Sequence, residues 1–299
     1  MRTPEEMMEL ILRRAREDER IRAVTMEGSR AHAGSVRDAY SDFDICYFVS
    51  DIRAFTKDPS WVEYFGEMLI MQCPDDWFDQ PYDYGGHEKF TYLMQFADGN
   101  RIDLTLIDIR NIENERLNRQ PRTVLLNKDH FDALTAHSDG SCFFIRRPTE
   151  KEYADTCNEF RWLSLYAAKG VCRRELYYAK RCYDVLMMPM FIQMLNWKIG
   201  AAHHFAVSTG SNCKSFKKFL SESEMEQFQG LFPNGEFTDI EKKLPLFYDA
   251  FARHAAEVAQ QLNFHFDADE TQRVRAFLLR RLRSSSARAG ERAASATPV

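Results

Sequence analysis

Gly28-Ser29-Arg30-Ala31-His32-Ala33-Gly34-Ser35, followed after a short spacer by Ser41-Asp42-Phe43-Asp44-Ile45, is the most informative stretch of the chain. Before it, Ile21 to Met26 alternates apolar and polar residues, as a short strand does. Gly28-Ser29 breaks that strand with a tight turn that can open a helix, whose free N–H groups would face an anion. Asp42 to Val49 reads as the next strand. Asp42 and Asp44 are two residues apart, so on a strand they share one face. Paired carboxylates on one face suit a hard divalent cation such as Mg²⁺, which takes oxygen ligands together with substrate phosphates.

Working outward, Thr3 is a candidate N-cap with Pro4 at the first helical position, and a helix is expected over about 4–19. Met68 to Gln72 reads as a strand, as do Phe90 to Ala97 and Arg101 to Ile107, the last two joined by an Asp98-Gly99-Asn100 turn. Asp103 lies inside the second of these runs. A carboxylate is poor strand material and costly to bury without a cation or donor, which makes Asp103 the third candidate ligand.

Residues 113–150 show little regular pattern. From about Glu150 the chain turns to helical spacing, with helices expected over 152–168, 173–187, 189–200, 215–220, 221–230 and 240–262. The predicted fold class is α+β: an N-terminal mixed β-sheet domain with flanking helices (1–135), a C-terminal helical bundle (136–283), and a disordered tail (284–299), where little apolar remains to bury. Phe160, Trp162, Leu163 and Tyr166 are expected in the bundle core.

The chain has 299 residues, 40 Lys+Arg against 45 Asp+Glu, and a formal net charge of −5. It lacks the basic excess of a general nucleic-acid binder, so no nucleic-acid partner is expected. No apolar run is long enough to span a membrane, and the acidic start at Glu5-Glu6 is unlike a signal peptide. Seven scattered cysteines with no C-x-x-C pair read as reduced thiols in a cytoplasmic protein. His32 and the His203-His204 pair lack further ligands at zinc-site spacing.

The ordered set of strand, Gly-Ser turn, Asp-x-Asp strand and later strand Asp resembles the nucleotidyltransferase superfamily related to DNA polymerase β. The wider chain resembles the aminoglycoside 6-adenylyltransferases, which modify streptomycin. The matching stretches include Phe65-Gly66-Glu67, Asp98 to Leu106, Cys157-Asn158-Glu159-Phe160, Lys169-Gly170 and Trp197-Lys198-Ile199-Gly200. The chain departs from the family at Ala31-His32-Ala33-Gly34 and at Ser211-Asn212-Cys213-Lys214.

The resemblance implies transfer of AMP from ATP to a hydroxyl of an aminoglycoside, with two Mg²⁺ ions. Asp42 and Asp44 would hold both ions, and Asp103 would bind one and accept the hydroxyl proton. Gly28 and Ser29 would cradle the β- and γ-phosphates, with Lys180 and the weaker candidate Lys214 neutralising the triphosphate. Lys180 and Asp184 stand i, i+4 on one helix face, which by itself is equally an exposed ion pair. The resemblance gives Asp184 to a cationic acceptor.

The stretch Asp75 to Glu88 carries five acids, four aromatics and no Lys or Arg, and its Pro and Gly mark it as a loop. It suits a polycation through charge and cation–π contact, with Asp76 and Glu88 as candidate contacts. A solvated acidic loop is the alternative. The expected partners are ATP and an aminoglycoside, with no membrane partner, and the chain is expected to act as a monomer. The superfamily also hosts other acceptors, so a different drug, a nucleotide or a protein remains the alternative substrate.

Overall fold

A computed structural model of the chain describes residues 1–31, 38, 40–82, 89–113, 121–135 and 140–295, with side chains through residue 283. The chain divides into two compact units, Met1–Cys142 and Phe143–Val299.

The first unit is built on a six-stranded sheet of β1 (Ile21–Met26), β2 (Phe43–Val49), β3 (Met68–Gln72), β4 (Lys89–Phe96), β5 (Arg101–Asp108) and β6 (Thr123–Asn127), in the order β3-β4-β5-β2-β1-β6. Neighbours are antiparallel except β2 and β5, which run parallel. On β5 the alternation is clean: Ile102, Leu104 and Leu106 are buried while Arg101, Asp103 and Thr105 face the other way. The buried side joins Phe43, Ile45 and Tyr47 of β2 in the main core.

The helix Pro4–Glu17 covers that side with Met7, Ile11 and Ala15. Its start matches the expected cap: Thr3 and Glu6 form a reciprocal capping box with Pro4 at the first turn. The hydroxyl of the fully buried Tyr47 donates to the Ile11 carbonyl at 2.6 Å, so the burial leaves no polar group orphaned. On the opposite side a smaller cluster of Ala23, Cys46, Phe48 and Ile107 fills one end of the sheet.

The Asp98-Gly99-Asn100 turn connects β4 and β5 as expected, and it also anchors the chain's start. Asp98 accepts from the Arg2 guanidinium at 2.7 Å, and Asn100 donates to the Arg2 carbonyl. Strand β6 lies in the stretch expected to lack regular pattern. Its Val124-Leu125-Leu126 run does not alternate, because it is a half-buried edge strand paired to β1.

The second unit is helical. Its core joins the helices Glu150–Arg173, Met188–Ala202 and Phe237–Leu262, with Phe160 stacked on Phe251 at 3.7 Å between ring centroids. Two expectations need correction here. The predicted helix over 173–187 begins after a break, because Arg174 adopts a left-handed conformation (φ 60°) and caps the preceding helix. The chain then runs through Leu176–Lys180 and a π-helical stretch, Arg181–Met187. Of the aromatic stripe, Phe160 and Leu163 are buried but Trp162 is 55% and Tyr166 37% exposed. At 100° per residue, positions 162 and 166 fall off the buried face.

The last helix runs Ala268–Ser295, into the stretch expected to be disordered. Leu278 and Leu282 dock its first part, and the Ala- and Arg-rich continuation extends a helix already nucleated. Among the described residues, no helix is long and apolar enough to cross a membrane.

A capping box at Ser221 opens the helix Glu222–Gly230 and yields a pH prediction. The backbone N–H of Ser221 and the Lys198 ammonium hold the Glu224 carboxyl at about 2, against an ordinary 4.5. A lowered carboxyl pKa contributes stability that is complete above the unfolded value and lost as pH falls towards the folded one. Glu224→Gln should therefore cost about 0.5–1 kcal/mol at pH 7, a modest loss because the pair is partly solvated. Denaturant melts at descending pH should show the gap from the parent protein closing between 4.5 and about 2.

Candidate active site

The ends of β1, β2 and β5 carry the site. β2 and β5 run parallel with Asp44 paired to Asp103 in register, so both carboxylates stand on the same side of the sheet. Asp42, just before β2, belongs to that side by alternation. Like charges directly across a strand pair repel unless a cation joins them.

Arg101 brings a positive charge to this group through Asp103 and Asp42. It lies two residues before Asp103 and grips it with both arms, Nε to Oδ1 at 2.7 Å and Nη2 to Oδ2 at 2.8 Å. Its Nη1 stands 3.8 Å from Asp42 Oδ2. The hydrogen bonds to Asp103 raise the Arg101 pKa above its ordinary value, and the charges of Asp42 and Asp44 add to this while burial opposes it.

The Gly28 turn closes on Asp44. Glu27 N–H donates to the Asp44 carbonyl at 2.9 Å, and Gly28 follows at φ +62°. A Cβ at Gly28 would stand 1.9 Å from Asp44 Oδ2, so only a residue without a side chain leaves the carboxylate its place. Gly28–Ala31 forms a single helical turn containing the half-buried Ser29. The longer helix that the turn was expected to open would fall on residues 32–37, outside the described residues, as does His32.

Arg30 fixes the segment bearing Asp42 by donating to the carbonyls of Ser41 (2.8 Å) and Asp42 (3.0 Å), with its guanidinium 4.0 Å over the Phe43 ring.

Three of these features were not singled out in the sequence: the grip of Arg101, the strut of Arg30 and a fourth carboxylate, Glu27. Burial raises the Glu27 pKa, and Asp44 pushes the same way; Arg122 and a hydrogen bond with Cys46 oppose it.

The remaining candidates lie on other elements. In the helical unit, Lys180 pairs with Asp184 at 2.8 Å and donates to the Pro233 carbonyl at 2.8 Å, next to and within the π-helical stretch. Lys214 is exposed after the turn Ser211–Cys213. In the sheet unit Asp76 accepts from the Tyr82 N–H at 2.9 Å, closing the start of the acidic loop on itself, with Trp77 and Phe78 exposed. Glu88 lies outside the described residues.

Among the described residues no three His, Cys, Asp or Glu side chains already form a metal cage. The donor chemistry nevertheless fits a hard divalent ion: three carboxylates on one side of the sheet, only partly offset by the single charge of Arg101, beside a turn stripped of side-chain bulk.

A sequence profile described as Streptomycin adenylyltransferase matches residues 1–281. An aminoglycoside 6-adenylyltransferase of Bacillus subtilis (strain 168) is 36% identical over 272 residues, 90% of this chain and 95% of that protein. One from Staphylococcus aureus is 31% identical over 269 residues, 89% of this chain and 94% of its own length. A crystal structure of an aminoglycoside 6-adenyltransferase from Bacillus subtilis is 32% identical and covers 93% of this chain and 98% of its own, with a TM-score of 0.45.

Proposed function

Because the chain belongs to the streptomycin adenylyltransferase family, we propose that it transfers AMP from ATP to a hydroxyl of streptomycin, releases pyrophosphate, and so confers resistance to the drug. The observation that carries this reading is the gathering of Asp42, Asp44 and Asp103 beside the Gly28 turn. Asp42 and Asp44 would hold two Mg²⁺ ions, with Asp103 sharing one of them, and the ions would supply charge neutralisation for the attacking and leaving oxygens.

The acceptor oxygen forms a bond to the α-phosphorus, the bond to the bridging oxygen of the pyrophosphate breaks, and Asp103 takes the hydroxyl proton. Gly28 and Ser29 contact the β- and γ-phosphates through the backbone. Lys180 and Lys214 are read as cations for the triphosphate, and Asp184, Asp76 and Glu88 as contacts for a polycationic acceptor. We read residues 1–135 as the catalytic domain, 136–283 as the substrate-binding helical domain, and the chain as a cytoplasmic monomer.

The test is pyrophosphate release by the purified protein with ATP and Mg²⁺, in parallel reactions with streptomycin, spectinomycin, kanamycin and lincomycin. Release with streptomycin, and loss of it when Mg²⁺ is chelated, is the expected result. Release with another drug alone would reassign the acceptor, and none with any drug would overturn the reading.

A further inference from the structure

We infer that Arg101 is the built-in counter-ion of the carboxylate cluster: it holds Asp103 and Asp42 while no metal is bound and gives them up when a divalent ion arrives. The inference rests on the metal reading of the three aspartates proposed above.

The geometry is that of a competitor. Arg101 engages both oxygens of Asp103 at 2.7 and 2.8 Å, which sets a positive charge against the two atoms a metal would use. The third nitrogen, 3.8 Å from Asp42, sets the positive charge between two carboxylates on the same side of the sheet. A carboxylate held this way is a poorer ligand and a weaker base, because the nearby cation repels a metal ion and disfavours protonation, so opening the grip frees Asp103 to act. The side chain is free to open it, being 40% exposed and springing from a strand position beside the Asp98-Gly99-Asn100 turn.

Arg101 thus lowers the affinity of the empty site for metal while easing the repulsion among the acids through Asp103 and Asp42. That assigns it a positioning role. It also separates it from a merely structural ion pair, because removing a structural partner would weaken metal binding, whereas removing a competitor strengthens it.

The experiment measures Mn²⁺ binding to the full-length, nucleotide-free protein by the loss of the free-ion electron paramagnetic resonance signal, for the parent, Arg101→Gln, Arg101→Lys and Asp103→Asn. Arg101→Gln should bind Mn²⁺ roughly tenfold more tightly than the parent, because a unit positive charge a few ångströms from the ion is gone. Arg101→Lys should fall between, since an ammonium keeps the charge but not the fork. Asp103→Asn should bind weakly.

In the absence of metal, Arg101→Gln should also melt at a lower temperature and recover more on adding Mn²⁺ than the parent does. Equal or weaker Mn²⁺ binding by a folded Arg101→Gln, with the parent binding and Asp103→Asn not, would overturn the inference and leave the metal reading standing. If Arg101→Gln does not fold, Arg101→Lys decides by the same criterion. Parent and Asp103→Asn binding Mn²⁺ equally would remove the metal reading and this inference together.

Discussion

Asp103→Asn should lower kcat/KM for adenylyl transfer by on the order of a thousandfold or more, a loss of about 4 kcal/mol of transition-state stabilisation. The substitution keeps size and hydrogen-bonding shape but removes the charge. In the proposed chemistry that charge does two things, binding an ion and accepting the hydroxyl proton, and neither survives in an amide. The folded protein should tolerate the change. Asp103 sits on the polar side of β5, the apolar residues Ile102 and Leu104 on either side of it stay packed, and the lost Arg101 pair is partly solvated. Pyrophosphate release alongside a thermal melt checks both halves: activity should fall with the melting temperature within a few degrees of the parent. Activity retained within tenfold would remove Asp103 from the chemistry.

Gly28→Ala should act by a different route and on both quantities. The residue sits at φ +62°, which costs an alanine about 1 kcal/mol. The added methyl would meet Asp44 Oδ2 at 1.9 Å and its carboxyl carbon at 2.6 Å, so the carboxylate must swing away. A displacement of that size at a reacting centre costs about a hundredfold in rate or more. Gly99→Ala is the matched control. It too has positive φ (+90°), but its methyl would meet only the Met1 side chain. Gly99→Ala should lose stability with kcat/KM preserved, whereas Gly28→Ala should lose both. Equal kcat/KM for the two variants would show that Gly28 serves the turn and not the carboxylate.

Much of the sheet was legible because strands write themselves in period two. The alternation from Arg101 to Ile107 located β5, and the two-residue spacing of Asp42 and Asp44 gave them a common face. The same rule puts Arg101 on the face of Asp103, and their pairing was legible in that spacing. Glu27 carried a fainter signal, a lone carboxylate between a strand and a glycine turn, and its burial depends on tertiary neighbours such as Arg122 and Cys46.

Edge strand β6 escaped because pairing on one side relaxes the alternation. The helix from Ala268 escaped because its buried positions Leu278 and Leu282 are spaced among arginines. The displaced Trp162 and Tyr166 show that aromatic content alone does not tell which side of a helix meets the core.

The parallel pairing of β2 with β5 also bears on how the chain reaches its native state. β4 and β5 are joined by a tight hairpin turn and can zip locally, whereas β2 meets β5 only after the whole intervening segment has closed into a loop. Asp44 and Asp103 therefore become neighbours late in folding, and nascent or partly folded chains carry their acids apart. The divalent-ion affinity proposed for these acids would then emerge together with the finished sheet, so metal uptake in a refolding experiment should lag the formation of secondary structure and coincide with the final packing of the sheet.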